Sequence, residues 1–126
     1  MLNRDHFQEK KLSLNDLELI DATSFSSLDK HYLRLLAHCL SCFHSIALGA
    51  QSGPLPDHEL RLQWCMEQPS LISEKSFIPI FLKQLEVAGH CLEALALTEG
   101  VTPLSLQTED LIKAMSSKAL KNSPSD

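Results

Sequence analysis

The segment AHCLSCFH, Ala37 to His44, holds two cysteines three residues apart with a histidine outside each, and His90-Cys91 repeats the theme further on. Thiolate and imidazole are ligands of zinc and iron, and a C-x-x-C pair is also the unit of dithiol redox chemistry. On a helix His38 lies one turn before Cys42, so these two could present ligands on one side. Cys91 or His90, with His58 or Cys65, would have to complete a tetrahedral shell. The candidate metal set is therefore His38, Cys42 and Cys91. Paired zinc cysteines usually sit on tight turns of Gly or small polar residues, which the segment lacks, so no metal is expected. A reactive dithiol sits at a helix amino terminus, whereas Cys39 and Cys42 fall mid-helix on an apolar seam where burial raises the thiol pKa. Cys39, Cys42 and Cys91 are thus expected to act as small hydrophobes in the core, with Cys65 the least buried and no structural disulfide. His38 and His90 fall at polar helix edges, and His6, His31, His44 and His58 on exposed positions or ends, none with an evident partner.

Other catalytic constellations are missing. The chain has no G-x-S-x-G, no H-E-x-x-H and no Gly-rich phosphate loop, and its four glycines cannot build a backbone cradle. Asp16-Glu18 and Glu109-Asp110 lie at or near helix starts, where dipole complementation accounts for them. The expectation is a chain that is not an enzyme and holds no cofactor.

Sparse Gly and Pro cut the sequence into helical pieces. The first long helix, about 27–48, starts at Ser26 or Ser27 as cap and stops at Gly49. Leu28, Tyr32, Leu35, Cys39, Cys42 and Ile46, with Leu36, Leu40, Phe43 and Ala47 beside them, give it a face broad enough for a central helix. The second, about 77–98, follows a Ser76 cap, with Pro79 in the first turn and Gly100 beyond its end. Its apolar arc includes Phe77, Ile80, Phe81, Leu85, Ala88, Cys91, Leu92, Leu95 and Ala96. Gln84 is the one polar residue projecting into that arc, so it is predicted to be buried and hydrogen-bonded. Lys83, Glu86, His90 and Glu93 take the opposite side.

Between the long helices, Pro56 and Pro69 bound a short one, with Asp57 in its first turn. Leu60 and Trp64 share one of its sides, and Leu62 and Met66 another. A shorter helix capped by Thr108 lies near the carboxy end, and a two-turn helix is indicated in SLNDLELIDA. Period-two alternation occurs only in TPLSLQTED, too little for a sheet. The predicted fold is all-α: four to five helices in a bundle-like or orthogonal array, the two long ones packed on each other. Residues 12–120 form one helical domain, with disordered tails at 1–11 and 121–126.

The 126 residues, 44% hydrophobic, suffice for one core. Sixteen acidic against 11 basic residues give a formal charge of -5, which offers no field for a polyanion and excludes nucleic acid as the expected partner. No apolar run suits a signal peptide or a membrane span, so neither a membrane partner nor export is expected, and the location indicated is cytoplasmic. A small acidic helical domain without catalytic furniture is expected to work by protein–protein interaction, as an adaptor, assembly factor or regulatory subunit. The patch centred on Leu62, Trp64 and Met66 is the interface candidate, and its simplest occupant is a second copy in a two-fold homodimer. The alternative is a small-ligand or metal-binding domain with its site between the long helices around Cys39, Cys42, Gln84 and Cys91.

Overall fold

The computed structural model describes residues 14–117. The tails predicted at 1–11 and 121–126 lie outside the described residues. The rest is all-α, with no strand among the described residues. Among the described residues six α-helices follow one another: α1 (Leu14–Asp21), α2 (Ser27–Ile46), α3 (His58–Met66), α4 (Pro69–Ile72), α5 (Ile78–Glu99) and α6 (Thr108–Ser116). Two short 3-10 turns, Lys75–Phe77 and Pro103–Ser105, precede α5 and α6. The helix beyond the expected four or five is the single turn α4, which Pro69 opens.

Local chemistry explains most of the boundaries. Ser26 caps α2, its hydroxyl accepting from the Asp29 N–H at 3.1 Å. The helix stops at Ile46, ahead of the expected Gly49, because Leu48 and Gly49 both turn to positive φ, at 58° and 84°. Asp57 caps α3 rather than sitting inside its first turn, and accepts from Leu60 N–H at 3.0 Å. Ser76, expected to cap α5, instead lies in the 3-10 turn, and Phe77 precedes the helix with no side-chain cap. Pro79 does occupy the first turn, and Gly100, at φ 72°, ends the helix.

α2 is the central element, packed on α1, α3, α5 and α6. Leu33, Leu36 and Phe43 from α2 meet Ile20, Leu85, Leu92, Leu106 and Leu111 in one core, all of them fully buried. The two long helices pack on each other as predicted. Tyr32 Oη lies 3.6 Å from Cys91 Sγ, while a Cβ at Gly89, two residues away, would stand 3.3 Å from Cζ of Phe43. Gly89 permits that approach.

The alternating stretch near Leu104 makes no strand. Leu104 and Leu106 both point into the core from a 3-10 turn and its exit. The turn is tied to the 50s loop by Leu104 N–H to Gly53 O at 3.1 Å and Gly53 N–H to Thr102 Oγ1 at 2.9 Å.

Candidate interaction surface

α3 has two unlike faces. Arg61, Trp64, Cys65 and Gln68, at i, i+3, i+4 and i+7, form the inward one. Arg61 Nε donates to Pro56 O at 2.8 Å, and its guanidinium stands 4.9 Å from the Phe43 ring centroid. Trp64 is half-buried and stacks on Phe81 at a centroid distance of 6.3 Å. Cys65, predicted to be the least buried thiol, is fully buried. The helix buries a face in which two of four residues are polar, so the apolar positions alone do not reveal it. Of the predicted patch, Leu62 and Met66 are exposed, while Trp64 is turned inward. The outward face carries Glu59, Leu62, Gln63 and Met66, with Leu60 and Glu67 beside them.

The residues proposed for a ligand site do not converge. His38 and Cys42 do meet, with Nε2 and Sγ 3.8 Å apart, but Cys91 is drawn to the Tyr32 hydroxyl. Cys39 lies in the core. Gln84, predicted to be buried, is exposed. Its neighbours explain the difference: Ile80 is 63% and Val87 59% exposed, so the outer half of the α5 apolar arc faces water. That half lines an open groove of about 330 Å³ with Tyr32 and Leu35 of α2. A second depression, about 540 Å³, lies over His38, Cys42, Trp64, Gln68 and Phe81. Among the described residues no group of three or more His, Cys, Asp and Glu side chains could hold a metal ion.

The sequence itself carries a family assignment. A family model described as NDH complex assembly factor CRR9 matches residues 12–122. The chain belongs to the CRR9 family. No curated protein and no solved structure matches it.

In this CRR9-family chain the four cysteines are free. Burial pushes the Cys39 thiol from its usual value of 9.0 up to about 11. Cys42 rises to about 12, through burial first and then the nearby Cys39 and Cys65 sulfurs. Burial raises the Cys65 thiol as well. Dithiol exchange needs the opposite shift, since the thiolate is the nucleophile. The CRR9-family chain also gives His44 a partner that the sequence did not disclose. Its Nε2–H donates to Leu104 O at 2.8 Å, tying α2 to the second 3-10 turn. No helix among the described residues is long and apolar enough to cross a membrane.

Proposed function

We propose that this chain acts without catalysis as an assembly factor for the NDH complex, by holding a protein partner while the complex is built. The observation that carries this reading is the family match over residues 12–122. The surface supports it: the outer face of α3 and the groove beside Ile80 and Val87 present apolar side chains to water. The raised thiol pKa values of Cys39 and Cys42 disfavour dithiol exchange at this pair. Four free thiols fit a reducing compartment, as a cytoplasmic location would require.

Deleting the gene tests the reading. The assembled NDH complex on native gels should fall while transcripts of its subunits hold steady, and the wild-type chain should restore it. A full level of complex in the deletion strain would overturn the assignment.

A further inference from the structure

We infer that the outer face of α3 docks a basic amphipathic helical segment of the partner protein, an inference that rests on the assembly-factor reading above. α3 is nine residues long, so its face spans about 13 Å, two to three turns. Leu62 and Met66, one turn apart, are 39% and 46% exposed, with Leu60 beside them at 49%. Glu59 and Glu67 bracket this apolar strip, one near each end of the helix, about 12 Å apart along the axis.

Neither carboxylate forms an ion pair with a cation among the described residues, Lys75 of the first 3-10 turn included. Arg34 and Lys30 are held by Asp21, Lys83 by Glu86 and Lys113 by Glu99. Arg61, the one cation on α3, turns inward to Pro56 O and the Phe43 ring. Among the described residues the strip is thus apolar in the middle and negative, with no ion pair, at both ends. The complementary surface is a helix with two apolar residues one turn apart and a Lys or Arg about a turn beyond each of them.

A second copy is the wrong complement. A two-fold axis through Gln63 would set Glu59 of one chain against Glu67 of the other, twice over, and a parallel pairing would set each glutamate against its own equivalent. Like charges so placed oppose association. A face this small also suits a contact that must be given up once assembly is complete, because transient interfaces lie at the low end of buried area.

The test places a photo-crosslinking amino acid at Gln63 in the full-length chain, in cells, and sequences the crosslinked peptide. A peptide of another protein with Lys or Arg bracketing an apolar pair supports the inference. An acidic or uncharged peptide overturns it, and so does a peptide of this chain itself, which would mark a homodimer. In the Glu59→Lys/Glu67→Lys variant the crosslink yield should drop by about tenfold. Glu67→Lys alone lies at the carboxy end of α3, where a cation suits the helix dipole, and provides the folded control should the double variant unfold. An undiminished yield in Glu67→Lys overturns the electrostatic argument. The two readings fail separately. If the double variant folds and restores the NDH complex as fully as wild type, the docking face is wrong while the assembly role stands; a full level of complex without the gene removes the assembly role alone.

Discussion

The Thr108 hydroxyl donates to Asp16 Oδ1 at 3.0 Å, joining α6 to α1 across 92 residues of sequence. Thr108 is not the cap its sequence context suggests. Gln107 stands at the N-cap, its N–H donating to Asp110 Oδ2 at 2.7 Å, and this frees Thr108 to reach sideways from the first turn. Thr108→Val keeps the shape and removes the donor, so it should cost about 1–2 kcal/mol, read as a fall in Tm of roughly 5–10 °C. Thr108→Ser should recover most of it. Equal melting of wild type and Thr108→Val would show the bond to be of no consequence.

Arg61 is the second structural anchor. It fastens α3 to the core through Pro56 O and the Phe43 ring, both on the buried side of the helix. Lysine keeps the charge but has neither the planar group nor the Nε donor. Arg61→Lys should therefore destabilise by about 1–2 kcal/mol in chemical denaturation. A midpoint within error of wild type would contradict this anchoring.

The thiols give the stability a pH dependence. Ordinary cysteines, as in the unfolded chain, ionise near 9, whereas Cys39 and Cys42 in the folded chain do so only near 11 and 12. Folded pKa values above the unfolded ones mean that the folded chain holds more protons in this window. The stabilisation is fully present below pH 9 and is lost as the pH rises through 11 and 12. Tm should be steady between about pH 7 and pH 8 and decline progressively above that. In Cys39→Ala/Cys42→Ala the alkaline decline should be shallower, and an identical slope would assign it to other groups.

The helical architecture was legible because α2 and α5 are long and punctuated by Ser26, Pro79 and Gly100. Which way each helix faces was less so. On α2 the apolar pattern pointed to Leu28 and Leu35, yet Leu28 is exposed and Leu33, outside the stripe, is fully buried. A helix enclosed by four neighbours buries nearly all its circumference, so a one-sided stripe describes it poorly. On α5 the exposed Ile80 widened the predicted apolar arc until it enclosed Gln84. Hydrophobicity cannot distinguish a side chain that faces the core from one that waits in a groove. Arg61 and Gln68 were invisible for the opposite reason, since each satisfies its polar atoms with nearby carbonyls and so can line a buried face. His44 escaped notice because its acceptor, Leu104 O, is a backbone atom 60 residues away.

The α1–α6 contact also bears on the order in which the molecule is made. α1 is the first of the described helices to be synthesised, yet one wall of its seat is α6, the last of them. Closing so long a stretch of chain for one pair of short helices returns too little free energy to lead the reaction. Packing of α2 on α5 draws the two distant segments together before either has to find the other. α1 can lean on α2 from the start, but its seat closes only when α6 arrives, and until then the side of α1 that meets α6 stays open on the nascent chain.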